Sequence, residues 1–135
     1  GAFGLMQMMP STANRYGINI NSSPQKQIQA GINFIKWLEQ RFDYIEDSRE
    51  RIKFILAAYN VGPGHIYDAR NLALKNGANP DIWDDSVDKY LLSKSDPDVY
   101  KDPVVKYGYC RGIETYNYVK DILERYQHYR NLFIF

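Results

Sequence analysis

The chain has 135 residues, 44% of them hydrophobic and 24% charged. That is a globular composition, long enough for one domain with a real core and outside the range of disordered chains. Lys and Arg number 17 against 16 Asp and Glu, a formal charge of +1, which excludes a sequence-wide basic surface for nucleic acid or an anionic membrane.

In chain order, the spacing predicts an all-α domain. A short helix near Ser11–Tyr16 is closed by Gly17. Ser23-Pro24 starts a second helix, whose inward stripe is Ile28, Gly31, Ile32, Ile35, Leu38 and Phe42. A third runs from Ser48 to Asn60, with Asp47 as cap, Glu50 reaching back in a capping box, and Ile52, Ile55, Leu56 and Tyr59 inward. Gly62-Pro63-Gly64 breaks the chain, and a fourth helix from Pro63 to Lys75 turns Ile66, Ala69, Leu72 and Ala73 inward before the Asn76-Gly77 stop. Asp81–Leu92 reads as a further short helix, and Ser93–Pro103 as a loop. The last helix spans Arg111–Leu132 with Tyr118, Val119, Ile122, Leu123, Tyr126 and Phe133 inward. The expectation is therefore about six helices forming one domain over residues 1–135, with no run of about 18 apolar residues to span a bilayer.

Metal chemistry has no foothold. His65 and His128 lie on different helices without metal-ligand spacing, and a single Cys, Cys110, excludes a Cys-based zinc site and an internal disulfide. The plain expectation is that His65 and His128 are each a surface or satisfied His and that Cys110 is a small buried residue.

Four segments can carry chemistry. In GAFGLMQMMP (residues 1–10), Gln7 sets an amide among methionines, which are adaptable apolar surface; a Met-rich core plug is the alternative. In AAYNVGPG (57–64), Tyr59 and Asn60 present polar tips at a helix end, where Asn60 can serve as a cap, as a ligand group, or as both. In ETYNYV (114–119), Glu114 and Tyr118 are i,i+4 neighbours. The spacing leaves Glu114 open between a cleft carboxylate and an ion pair with Arg111 or Lys106. The fourth is the tyrosine-rich stretch Tyr107, Tyr109, Tyr116 and Tyr118, part of a total of 12 Tyr. Rings with a polar tip suit wet, ligand-contacting surfaces, though some of these serve helix packing.

Together and in this order, the strings GAFGLMQMMP, AAYNVGPG and ETYNYV resemble the lytic transglycosylases of the soluble-lytic-transglycosylase and goose-type lysozyme superfamily. The interval from Asp68 to Gly112 is similar to a membrane-bound branch whose catalytic domain follows a solute-binding-like domain. The resemblance implies a lysozyme-like helical fold and cleavage of the β-1,4 bond between N-acetylmuramic acid and N-acetylglucosamine in peptidoglycan. One Glu protonates the leaving oxygen and then, as carboxylate, takes the proton of the muramyl 6-hydroxyl, which closes into a 1,6-anhydro end without metal or cofactor. By motif position, Gln7 and Met9 line the glycan cleft, Tyr59 and Asn60 form its floor, Glu114 is a second acidic residue within it, and Tyr118 helps place the catalytic Glu and the reacting sugar. The implied partners are glycan strands and no nucleic acid, and the implied location is the periplasm, at the outer membrane.

The sequence departs from the family at one point. The family's catalytic Glu belongs to a Glu-Ser pair shortly before the first of these segments, and this sequence starts at that segment, Gly1-Ala2-Phe3-Gly4. The expectation is a piece of a longer protein, lacking the N-terminal catalytic helix and inactive by itself. Apolar surface is expected near Leu5, Met6 and Met8, with self-association as its consequence. The rival readings are a non-catalytic peptidoglycan-binding module, a helical scaffold, and a lysozyme-type hydrolase.

Overall fold

The computed structural model describes residues 1–133, which fall into two compact units, Gly1–Arg41 and a second beginning at Phe42. Among the described residues the chain is all-α, with seven helices and no strand.

The first unit contains α1 (Pro10–Arg15) and α2 (Pro24–Arg41). Ahead of α1 the chain doubles back, with Phe3 and Met8 exchanging backbone hydrogen bonds in a single antiparallel bridge. The turn needs left-handed backbone at Gly4 (φ +71°), which glycine adopts freely, and at Gln7 (φ +48°), which is strained for a residue with a Cβ. Gly17 (φ +74°) closes α1 as expected.

The buried face of α2 is rotated from the expected stripe. Gln27, Ala30, Gly31, Phe34 and Leu38 are buried, whereas Ile28 and Ile32 remain 37% and 38% exposed. Two causes are local. Gly31 admits the Met6 side chain where a Cβ would collide with it. Phe34 stacks between Tyr16 and Trp37, with ring centroids 5.9 and 6.2 Å away. The amide of Gln27 does not orphan itself on this face, because it donates to Ser22 O at 2.8 Å. Of the apolar residues expected at the surface, Leu5 is 74% exposed, but Met8 is 3% exposed because the bridge folds it inward.

The second unit contains α3 (Ser48–Val61), α4 (Pro63–Lys75), a kinked turn at Trp83–Val87, α5 (Asp88–Ser93), α6 (Pro97–Tyr100) and α7 (Gly112–Leu132). Asp47 caps α3 as predicted, accepting from the backbone N–H of Arg49 and Glu50. Glu50 does not complete a capping box. Its carboxylate instead accepts from Trp83 N at 2.9 Å and from Lys53 Nζ at 3.1 Å. The buried face of α3 is Phe54, Ile55, Ala57 and Ala58, and Ile52 stays 48% exposed. The inward set of α4 is the predicted one, with Ile66, Ala69, Leu72 and Ala73 all buried.

Three expectations fail in the second half of the chain. The helix expected over Asp81–Leu92 is interrupted. Asp84 is extended and Asp85 left-handed (φ +56°), and Lys53 Nζ holds the Asp84 carboxylate at 2.6 Å. The predicted loop Ser93–Pro103 contains α6, a single turn started by Pro97 and capped by the Asp96 side chain. The outer half of α7 is not buried. Val119 is inward at 1% exposure, but Tyr126 and Phe133 are 62% and 66% exposed.

The core of the second unit lies where α3 meets α4 and α7. Trp83 packs edge-on to Phe54 at 5.6 Å, and Phe42 is enclosed by the rings of Tyr44, Phe54 and Tyr67. The start of α7 presses on α5 so closely that a Cβ at Gly112 would collide with the Leu91 carbonyl oxygen. Only glycine permits that approach.

Candidate functional site

The second unit brings together residues from two of the motif segments. Helix α3 ends at Val61, and Gly62 (φ +96°) turns the chain straight into α4, whose Pro63 needs no hydrogen-bonded N–H. This geometry leaves Tyr59 and Asn60 on the last turn of a helix whose other face is packed. The fully buried Thr115, on the first turn of α7, donates from Oγ1 to Asn60 Oδ1 at 2.8 Å across 55 residues of sequence. Asn60 therefore ties two helices together rather than capping the carbonyls of its own.

Tyr59 and Tyr118 share this neighbourhood. Burial pushes the Tyr59 hydroxyl up to about 12, and the nearby Tyr118 phenol adds to the shift. Burial raises Tyr118 as well. Both hydroxyls stay neutral through the physiological range.

Glu114 lies one turn before Tyr118 but faces solvent. Its side chain is 66% exposed and pairs with Arg111 Nη1 at 3.3 Å. Of the two readings left open by the spacing, the ion pair with Arg111 is the arrangement observed, and Lys106 is not its partner. The cause is the helical register: Thr115 takes the inward position, and Glu114 is displaced to the flank.

Gln7 and Met9 belong to the first unit. Gln7 is exposed, and its side-chain amide donates to Gly4 O at 2.7 Å, which holds the left-handed turn. Met9 is 48% exposed and precedes α1, its carbonyl accepting from Ala13 N.

One polar cluster escaped the sequence reading. Lys94, 0% exposed, donates from Nζ to Asp68 Oδ2 at 2.6 Å and lies 2.8 Å from His65 Nδ1. Asp68, 1% exposed, also accepts the backbone N–H of Lys106 at Oδ1 and of Tyr107 at Oδ2. The Lys94 carbonyl accepts Cys110 N at 3.2 Å. One buried pair thus fastens the Lys106–Cys110 segment to α4. A faint signal existed for Asp68, which sits beside Ala69 on the inward side of α4. None existed for Lys94, which lies in a segment without periodicity. Cys110 is buried as expected, and burial raises its thiol, which makes it a poor nucleophile.

His65 supplies a pH dependence. Burial foremost, then the Lys94 charge, lower it below its ordinary 6.5. Folding thus favours the neutral ring, whose Nδ1 can accept from Lys94. The stabilisation is fully present above pH 6.5 and is lost as pH falls through the lower folded value. Chemical denaturation of the chain at pH 7 and pH 5 should show lower stability at pH 5. His65→Gln keeps an acceptor for Lys94 without titrating, and should flatten that difference.

Among the described residues, no group of three or more His, Cys, Asp or Glu is placed to hold a metal ion, and no helix is long and apolar enough to cross a membrane.

Comparison with known proteins completes the description of the site. Residues 1–82 match the model of the transglycosylase SLT domain. The chain is 38% identical over 122 residues to the membrane-bound lytic murein transglycosylase F of Haemophilus influenzae strain PittEE, covering 90% of the chain and 25% of that protein. It is 42% identical over 123 residues to the protein of the same name from Pasteurella multocida, covering 90% and 24%. For Vibrio cholerae the figures are 36% over 127 residues, covering 94% and 23%. The chain spans about a quarter of the length of the curated relatives it matches.

Proposed function

Because this chain belongs to the transglycosylase SLT domain family, we propose that it forms the glycan-binding part of a peptidoglycan lytic transglycosylase. That enzyme cleaves the MurNAc–GlcNAc β-1,4 bond with formation of a 1,6-anhydro end. The observation that carries this reading is the meeting of AAYNVGPG and ETYNYV. They contribute two neutral buried-side phenols, Tyr59 and Tyr118, beside the Asn60–Thr115 bond. Neutral donors suit the hydroxyls and acetamides of an uncharged sugar backbone better than ionised groups, which bind water too tightly to exchange it cheaply.

In this reading Tyr118 orients the reacting sugar and the catalytic Glu, Tyr59 and Asn60 contact the glycan, and Gln7 and Met9, on the first unit, are glycan contacts by motif position. Glu114, paired with Arg111 and exposed in this chain, takes an accessory role at the cleft. None of the five Glu residues (Glu39, Glu46, Glu50, Glu114, Glu124) is followed by Ser. The general acid and base is therefore assigned to residues outside these 135, and the 135 residues by themselves bind glycan without cutting it. A single Glu serves both proton transfers, unlike the carboxylate pair of most glycosidases. The proposed partners are glycan strands of the cell envelope, as the murein-directed, membrane-bound names of the relatives suggest.

Mass spectrometry of products from purified sacculi tests the activity. The full-length protein should release muropeptides one water lighter than hydrolysis products, and residues 1–135 alone should release none. Hydrated products from the full-length protein would make it a hydrolase, and release by residues 1–135 would refute the assignment of the general acid.

A further inference from the structure

Tyr107 belongs to none of the three motif segments, yet the structure commits considerable machinery to it. Its N–H donates to Asp68 Oδ2 at 2.9 Å, and that carboxylate is itself buried against Lys94. The preceding N–H, of Lys106, donates to the other oxygen, Oδ1. Two consecutive peptide units of a surface segment are thereby fixed by one carboxylate. Burying an ion pair costs desolvation, and apolar residues of similar volume often hold a core as well. What the pair offers that apolar residues cannot is a set of acceptors with defined directions. These acceptors are spent on the backbone that carries Tyr107.

The ring itself is not buried. Tyr107 is 58% exposed, and one side of the ring leans on Gly64, where a Cβ would lie 2.6 Å from ring carbons. His65 meets it edge-on at 6.4 Å. Gly64 follows Gly62-Pro63, directly after the Tyr59–Asn60 end of α3. An aromatic side chain on a surface segment ordinarily samples several rotamers and loses that freedom on binding. Here the backbone is tied, one side is seated, and the rest is open to solvent beside a motif segment. That is a preorganised platform of ring size with a polar tip.

We propose that Tyr107 is a further glycan-contacting residue, which stacks on a saccharide ring at the start of α4 and is held ready by Gly64 and the buried Asp68–Lys94 pair. This rests on the transglycosylase reading, because a pyranose ring is the ligand whose C–H face matches a tyrosine face while its hydroxyls remain solvated. The occupant is an uncharged sugar of the glycan strand.

The test is co-sedimentation of the full-length protein with purified sacculi, together with turnover kinetics. Tyr107→Ala should weaken binding about fivefold, raise KM by a similar factor and leave kcat unchanged, the signature of lost uniform binding. Tyr107→Phe should retain binding, because it keeps the face. Gly64→Ala should displace the ring without removing it and weaken binding as Tyr107→Ala does. Unchanged binding by Tyr107→Ala and Gly64→Ala, alongside weakened binding by Tyr59→Ala, overturns the role of Tyr107 and leaves the transglycosylase reading standing. A fall in kcat alone in Tyr107→Ala also overturns it. A wild-type protein that neither sediments with sacculi nor cuts them overturns the reading and this inference with it.

Discussion

Replacing Lys94 by Met should destabilise the chain by about 3–5 kcal/mol, the usual consequence of leaving one member of a buried ion pair without its partner. Lys94 is 0% exposed and Asp68 1%. Met fills most of the volume but leaves the buried Asp68 carboxylate without its cation, with the N–H groups of Lys106 and Tyr107 as remaining donors. The charge cannot escape to water without releasing the Lys106–Cys110 segment from α4. Thermal unfolding should show a fall on the order of 10 °C. Asp68→Asn combined with Lys94→Met should cost less than the two single losses added together, because no unpaired charge remains. It should not return to wild type, since one backbone N–H then faces an amide NH2 instead of an oxygen. Single-variant losses below about 1 kcal/mol, the range of surface pairs, would show that water reaches this site.

The second large effect is on turnover. On the proposed transglycosylase reading, Tyr118→Phe in the full-length protein should lower kcat on sacculi by about 100-fold, the scale of losing one preorganised donor from a reacting centre. KM and thermal stability should stay close to wild type, because the substitution removes one oxygen and keeps the ring that packs in α7. The physical basis is the state of the phenol: burial raises its pKa, so it remains a donor throughout the working pH range. Tyr59 is pushed up further, to about 12, partly by Tyr118 itself. The two cannot both ionise cheaply. A kcat within twofold of wild type for Tyr118→Phe would remove Tyr118 from the reacting centre and reduce it to a packing residue.

Local signals were reliable where they were self-sufficient. The Asp47 cap, the Pro63 start, the Gly77 stop at φ +79° and the inward face of α4 all depend on residues within a few positions of one another. They failed where a distant residue competes. Glu50 was expected to reach back to its own helix end, but Trp83 N, 33 residues away, takes its oxygen. In the same contact region, where Lys53 Nζ meets Asp84, the helix expected over Asp81–Leu92 is interrupted. Glu114 and Tyr118 were read as one face from i,i+4 spacing. That spacing is real, but the ion pair of Glu114 with Arg111 follows from Thr115 taking the inward position and leaving Glu114 on the flank.

The order and identity of its motif segments, and the period of its apolar residues, are properties of the sequence by itself. They determine that this chain is helical and to which family it belongs, because both follow from local spacing and residue type. Tertiary structure alone decided that Thr115 meets Asn60 and that Lys94 is buried against Asp68. These pairs join residues 55 and 26 positions apart. Nothing in a local window encodes such a pairing, since it arises only when packed helices bring the two polar groups out of water together and each becomes the other's replacement for it.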